Sequence, residues 1–180
     1  MSQEAKASHA QMACYYPVKS YGSAWARALA LTIDLTVATV LGALAFAASG
    51  MVAPDSDKTI ILAGSLLSLL FCYVYFVELE RSKPGTIGFR ILGLRIVNLQ
   101  GQQPSRLDMA NRFVMAWLGP LNILVDLLWI PSDENRQALR DKFAGTYVIK
   151  RNAKPSGHGL VICATYFLLG FTWTFREVER

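Results

Sequence analysis

The chain has 180 residues, of which 53% are hydrophobic and 17% are charged, against about 25% charged residues in an ordinary soluble domain. This length allows one compact domain, and the formal net charge of +5 comes from cations in the loops between apolar segments. Loop cations of that kind set membrane topology and meet anionic lipid headgroups, so we expect a lipid bilayer as partner and no nucleic acid.

A polar tail, residues 1–20, precedes the first apolar segment and lacks the apolar core of a secretory signal peptide. The segment at about 25–50 is long enough to cross a bilayer, which takes about 20 apolar residues. Asp34 lies a third of the way into it, where a charge costs about 2.5–3.5 kcal/mol unless it faces protein or water. Small residues recur every four positions around this carboxylate, which predicts a contact with another helix. This stripe consists of Ala26, Ala30, Asp34, Ala38 and Gly42.

The two charged residues of the first segment allow different interpretations. Arg27 precedes Asp34 by seven residues, about 10 Å along a helix, which is too far for a direct salt bridge. We interpret Arg27 as an anchor whose side chain reaches the cytoplasmic interface. Asp34 is either a hydrogen-bonded carboxyl group that holds helices together or a group that handles ions or protons, and we favour the second interpretation.

The second apolar segment, about 60–77, presents Gly64, Ser68 and Cys72 at i+4 spacing, a small face on which the first helix can dock. The loop before this segment, residues 51–59, contains one Lys or Arg, whereas residues 78–111 contain five. Because loops rich in Lys and Arg stay in the cytoplasm, we expect a cytoplasmic N-terminus and an external 51–59 loop.

The third apolar segment, about 113–130, is interrupted near its centre by Gly119 and Pro120. Proline removes a helix hydrogen bond and clashes with the preceding turn. If this segment crossed completely, the six cations of residues 131–158 would face outward, against the usual charge rule. We therefore favour a re-entrant or hairpin course over a kinked helix that spans the bilayer.

The polar residues at membrane depth indicate a small cavity rather than a catalytic centre. Asn122 and Asp126 lie one helical turn apart, so both side chains can point at a common interior point, with Asp34 opposite. The three cysteines form no disulfide framework, and the two histidines lie in polar stretches. We expect no enzyme activity, no metal and no cofactor.

Two stretches between the apolar segments are rich in β-branched residues: 90–99 (RILGLRIVNL) and 146–150 (TYVIK). They can pair if both loops lie on one side. A linker begins at about residue 151, and the uncharged fourth apolar segment, about 159–175, is expected to be a C-terminal transmembrane helix. The predicted fold is an all-α integral membrane protein with three to four membrane-embedded helical segments and a small cytoplasmic β element.

Four short motifs occur in a recognisable order: residues 21–34 (YGSAWARALALTID), 85–88 (GTIG), 93–97 (GLRIV) and 139–148 (LRDKFAGTYV). The first resembles the opening of the RDD family of bacterial membrane proteins, in which an Arg begins the first helix and an Asp lies within it. The others are similar to that family's G-T-x-G-K, G-L-R-V-V and H-D-x-x-A-G-T-x-V elements. The likeness covers a membrane domain from about residue 21 to 150.

The resemblance implies functional positions in the first helix and the cytoplasmic loops. They are Arg27, Asp34, Gly85, Thr86, Gly88, Arg95, Arg112, Asp141, Gly145 and Thr146. Asp141 would be the second Asp of the family name, and we hypothesise that it caps a turn or pairs with Arg27 or Arg112 at the cytoplasmic face. Phe89 replaces the basic residue that usually follows the second Gly, and Arg140 stands where His is frequent.

The resemblance also implies a multi-pass protein of the bacterial plasma (inner) membrane and suggests transport. We favour a small proton- or cation-coupled transport module that acts as an oligomer. In it Asp34 would titrate, Asp126 and Asn122 would be supporting ligands, and Arg27 would modulate access. The alternative is a non-transporting accessory or scaffold protein whose basic cytoplasmic loops bind lipid or a partner protein.

Overall fold

Two long helices contain the first two apolar segments of the sequence. Helix α1 spans Ala24–Val52, and helix α2 spans Asp57–Tyr73 and continues as a π-helix over Val74–Leu79. The stretches Ala24–Ala48 and Ile61–Leu79 are each long and apolar enough to cross a membrane. The computed structural model describes residues 12–52, 57–117, 125–126, 128–168 and 171–179.

The outer surfaces of α1 and α2 are apolar, and only 17% of each candidate span is buried. A core helix of a soluble protein would be mostly buried. The exposed large apolar side chains on the two helices include Leu29, Leu35, Val40, Leu41, Leu44, Phe46, Ile61, Leu62, Leu66, Leu67, Leu69 and Leu70. Trp25, which is 87% exposed at the start of α1, suits the aromatic belt of a membrane interface. A continuous apolar surface of this kind suits lipid rather than water.

Among the α-helices whose bounds lie in the described residues, three shorter ones are outside the two candidate spans: α3 (Ile87–Ile91), α4 (Arg106–Trp117) and α5 (Leu139–Ala144). Helix α3 packs against α1, and α4 packs against both α5 and the π-helical end of α2. The loop segments after α2 therefore fold back onto the two long helices.

In the described ranges, five strands form two antiparallel sheets: β1 (Met12–Tyr15), β2 (Leu94–Asn98), β3 (Thr146–Lys150), β4 (Gly157–Leu168) and β5 (Phe171–Glu179). β2 pairs with β3, and Ile96 lies opposite Val148. β4 pairs with both β1 and β5. The predicted pairing of the two β-branched stretches is confirmed.

The prediction of an all-α fold is wrong, because the described residues contain five strands in two sheets. The main error is the fourth apolar segment, about 159–175, which forms the β4–β5 hairpin rather than a transmembrane helix. Residues 171–175 (FTWTF) alternate apolar and polar side chains, the period of a half-buried strand. Phe175 is buried while Thr174 is exposed, as that alternation requires.

The β2–β3 sheet is buried on both faces. Val97 and Ile149 belong to an apolar cluster with Tyr16 and Tyr21 on one side. Ile96 and Val148 belong to a second cluster, on the other side, with residues of α1, α3 and α4, namely Ala30, Phe89 and Met109. Strands with two covered faces tend towards continuous apolar runs, and here such runs are short: Ile96 and Val97 in β2, and Tyr147, Val148 and Ile149 in β3.

The two ends of the third apolar segment lie close together. Arg112 in α4 binds Asp141 in α5, and Asp126 accepts a hydrogen bond from the backbone N–H of Leu139 in the same helix. Both ends are therefore on one side of the molecule. Residues 118–124, with Gly119, Pro120 and Asn122, lie outside the described residues, and so does the expected re-entrant course.

This arrangement predicts a two-span topology that cysteine labelling can test. Tyr21 bridges to Ile149 of β3, so the chain before α1 shares a side with both sheets. In a background with Cys14, Cys72 and Cys163 replaced by Ser, Lys58→Cys should react with a membrane-impermeant maleimide on intact cells. Lys154→Cys should react only after permeabilisation. Labelling of both positions from the same side would contradict the two-span topology.

Candidate functional site

Asp34 is buried, with 2% of its surface exposed, and it accepts three hydrogen bonds from other segments of the chain. Its Oδ1 accepts from the Tyr75 hydroxyl at 2.8 Å and from the backbone N–H of Gly88 at 2.8 Å. Its Oδ2 accepts from the Thr86 hydroxyl at 2.7 Å. Both carboxylate oxygens are therefore used to hold α2 and α3 against α1.

The sequence GTIG at 85–88 explains how the chain reaches Asp34. Gly85 has a φ of 69°, a conformation that L-residues with side chains rarely adopt, and it turns the chain after α2. Thr86 precedes the first residue of α3, so its hydroxyl and the N–H of Gly88 point at one acceptor. The carboxylate also faces the positive end of the α3 backbone dipoles.

Gly88 is required for another reason, its close approach to α1. A Cβ atom at this position would collide with the carbonyl oxygen of Ala30 and lie 2.9 Å from Asp34 Oδ2. The small-residue stripe of α1 therefore receives α3 in addition to α2, the second candidate span, whose Tyr75 bonds Asp34 as the predicted contact with another membrane helix requires.

Asp141 is fully buried between two arginines. Its Oδ2 lies 2.5 Å from Arg27 Nη1, and its Oδ1 accepts a hydrogen bond from Arg112 Nη1. Oδ2 also accepts from the backbone N–H of Ala138 at 3.2 Å, so Asp141 closes the first turn of α5. The structure therefore contains both arginine pairings and the turn cap that the sequence offered as alternatives.

Arg27 joins α1 to the loops through every part of its guanidinium group. Nε donates to the carbonyl of Gly22 at 3.0 Å, and Nη2 donates to the carbonyl of Arg136 at 2.6 Å. With the bond to Asp141, these contacts leave Arg27 only 3% exposed. The expected role of Arg27 as a snorkelling anchor is therefore replaced by a fully internal one.

Three further charged side chains, those of Glu80, Asp126 and Arg140, lie near Asp141 and its two arginines. Arg112 Nη2 lies 3.9 Å from Glu80 Oε1, and Arg140 Nε lies 3.1 Å from Asp126 Oδ2. Burial, and then the positive charge of Arg140, lower the pKa of Arg112 to about 9, which still leaves the guanidinium charged at neutral pH. Burial raises the pKa of Glu80, and Arg112 opposes that shift.

We call this group the ionic cluster. It contains three guanidinium groups and three carboxyl groups in the described part of the chain: Arg27, Arg112, Arg140, Glu80, Asp126 and Asp141. Equal numbers of opposite charges reduce the electrostatic penalty of burying them.

The remaining predicted site residues have backbone roles. Gly145 has a φ of 65° and ends α5, and Thr146 begins β3, where its carbonyl accepts from Gln137 Nε2 at 2.9 Å. Arg95 Nη2 donates to the carbonyl of Ala153 at 3.3 Å. These contacts hold the loops around the β2–β3 sheet.

The structure does not unite the polar residues that were expected to form one cavity. Asp34 and Asp126 have no hydrogen-bond partner in common among the described residues, and Asn122 lies outside them. The sequence analysis missed Tyr75 as a partner of Asp34. Tyr75 continues the Gly64, Ser68 and Cys72 face of α2 by one i+3 step, which is the signal that would have identified it.

The close approach at Gly88 predicts that Gly88→Ala destabilises the protein. The extra carbon atom must displace the backbone of α1, so we expect the free energy of unfolding to fall by about 1–3 kcal/mol. Gly42→Ala is the matched control, because a Cβ there meets nothing within 4 Å. Thermal unfolding of both variants in one detergent is the measurement, and equal melting temperatures would contradict the close contact.

The pairing of Asp141 predicts a larger effect for Asp141→Asn. Removing one partner of a buried ion pair leaves uncompensated charge, here on two arginines, and typically costs about 3–5 kcal/mol. Glu179→Gln, at an exposed position near the end of β5, is the control and should unfold as the wild type does. A melting temperature of Asp141→Asn within a degree of the control would refute the structural role of this pair.

Comparison with known proteins bears on the same segments. The family model described as "RDD family" matches residues 21–145, which include Asp34 with its hydrogen-bond partners and the whole ionic cluster. The "Uncharacterized protein YckC" of Bacillus subtilis (strain 168) is 40% identical over 67 residues, which cover 34% of this chain and 44% of that protein. The chain thus matches less than half the length of this relative, and no solved structure matches. Because the family model covers well over half of the sequence, the chain belongs to the RDD family of membrane proteins.

Proposed function

We propose that this protein is a non-transporting accessory or scaffold protein of the membrane. In this proposal α1 and α2 are the anchor, and the two sheets with α3, α4 and α5 form a domain at the cytoplasmic face. The observation that carries the proposal is the set of partners of Asp34. All three hydrogen bonds to this carboxylate come from the chain itself.

The hydrogen bonds of Asp34 favour a structural role on energetic grounds. Hydrogen bonds to a charged group each contribute about 1.5–3 kcal/mol. A carboxylate that carried a proton or a cation would have to give up some of these bonds in every cycle. Release would also free Gly88 and Thr86, which fix the start of α3 against α1. Coupled transport, which the sequence favoured, is therefore the less supported function.

The hairpin β4–β5 offers a contact surface for a partner protein or a second copy of this chain. Leu160, Ile162 and Phe167 are exposed on it, and Phe167 is 78% exposed. Among the strands that the structure describes, β5 lies at the edge of its sheet, whose order is β1-β4-β5. An open strand edge with exposed apolar side chains favours association through added strands.

Ion flux in proteoliposomes tests this proposal. Wild-type protein and Asp34→Asn should both leave an imposed pH gradient intact when Na⁺ or K⁺ is added. Asp34→Asn should nevertheless melt at a lower temperature, because an amide NH₂ group, which donates hydrogen bonds, replaces one of the two carboxylate oxygens that accept them. Thr36→Val is the control, since Thr36 is exposed on α1 and its hydroxyl bonds only the carbonyl of Thr32 among the described contacts.

The opposite result is equally clear. Cation-dependent collapse of the gradient by the wild type and by Thr36→Val, but not by Asp34→Asn, would refute the accessory function. It would instead establish coupled transport and place Asp34 on the ion or proton path. Insertion of each variant is checked by flotation of the proteoliposomes before flux is measured.

A further inference from the structure

A cleft of about 700 Å³ opens beside the first turn of α1. We call it the basic cleft, because four cationic residues line it: Lys19, Arg136, Lys150 and Arg151. Its apolar part includes Leu92 and Leu94. No Asp or Glu is found among the described residues that line it. The ionic cluster balances its own charges, whereas the charge of this cleft is not balanced by its lining.

Two of the four cationic side chains are available to a ligand from outside. Lys19 and Lys150 are exposed. Arg151 is held in place because its Nη2 donates to the carbonyl of Pro84 at 2.8 Å. Arg136 is held through its backbone, since its carbonyl accepts from Arg27 and its φ is 47°. Two exposed ammonium groups beside two guanidinium groups, one of them held by Pro84, suit an anion with several oxygen atoms.

The position of the cleft at the end of α1 indicates the source of that anion. Ser23 and Ala26 line it, and the Ser23 hydroxyl accepts from the backbone N–H of Ala26 at 3.2 Å to cap the helix. Trp25, exposed between them, suits the boundary between headgroups and acyl chains. A cleft beside the first turn of a membrane helix opens at the level of the lipid phosphates.

We propose that the basic cleft binds the headgroup of an anionic phospholipid from the surrounding leaflet. The phosphate lies among the four cations, and the glycerol backbone and the start of the acyl chains contact the apolar lining near Leu92 and Ala26. A free phosphate ion would share the first contact and not the second. The volume lies within the range of about 300–1,000 Å³ that is usual for small-molecule sites.

This inference rests on the membrane location in the proposed function and adds a ligand to it. The two tests remain separable, because lipid binding is measured without any ion gradient. Flux that depends on Asp34 would overturn the accessory function and leave lipid binding intact. Absence of any preference for phosphatidylglycerol in the wild type would overturn this inference and leave the flux result intact.

The test compares lipid binding by two double variants of the full chain in a non-ionic detergent. Lys19→Gln/Lys150→Gln removes two cleft charges, whereas Lys83→Gln/Lys154→Gln removes two exposed charges outside the cleft lining. Each protein is titrated with phosphatidylglycerol or phosphatidylcholine, and bound lipid is counted by native mass spectrometry. Glycerol 1-phosphate is the soluble competitor.

We expect the wild type and the control variant to prefer phosphatidylglycerol to phosphatidylcholine. The cleft variant should bind phosphatidylglycerol roughly 30-fold more weakly, the equivalent of about 1 kcal/mol for each of two cations near a lipid headgroup. Equal weakening in both double variants would overturn the proposal, because it would show attraction to total charge. Glycerol 1-phosphate that displaced the lipid at equal concentration would also overturn it, in favour of a site for soluble anions.

Discussion

The burial of the Asp141 carboxylate between Arg27 and Arg112 is the constraint on which the rest of the structure depends. A carboxylate with no exposed surface needs opposite charge in direct contact, since the desolvation penalty is several kcal/mol per ion. The two arginines come from different helices, α1 and α4, and Asp141 from a third. The ion pairs therefore fix where a candidate membrane helix meets the loop domain, in addition to any stability that they contribute.

Asp34 provides a second fixed point on the same helix, about 10 Å from Arg27 along the axis. The first point binds α4 and α5 through charge, and the second binds α2 and α3 through directed hydrogen bonds. The apolar residues Ala30 and Phe89 pack in the second core cluster with the β2–β3 sheet. Because α1 is held at two points along its axis, both its rotation about that axis and its position along it are defined relative to the sheets and shorter helices.

The sequence identified the charged residues of α1, Arg27 and Asp34, more readily than the residues that they contact. The β2–β3 pairing followed from β-branched composition, because its signal is local to each strand. The partners of Asp34 did not, because Tyr75 and Thr86 are 41 and 52 residues away and meet it only after the chain folds back from α2. The fourth apolar segment was misassigned because its length and composition were weighed above its period of two, which residues 171–175 display clearly.

The contrast between balanced and unbalanced charge indicates which residues are available to bind a ligand. Arg27, Arg112 and Arg140 each contact a carboxylate of the chain, so their charges are used in folding. The part of the chain that the structure describes places no carboxylate in the lining of the basic cleft, and two of the four cations there are exposed. Repulsion among those four charges opposes folding unless an anion is bound. A phospholipid headgroup removes that repulsion wherever the bilayer supplies it, so anchoring and ligand binding reinforce each other at the start of α1.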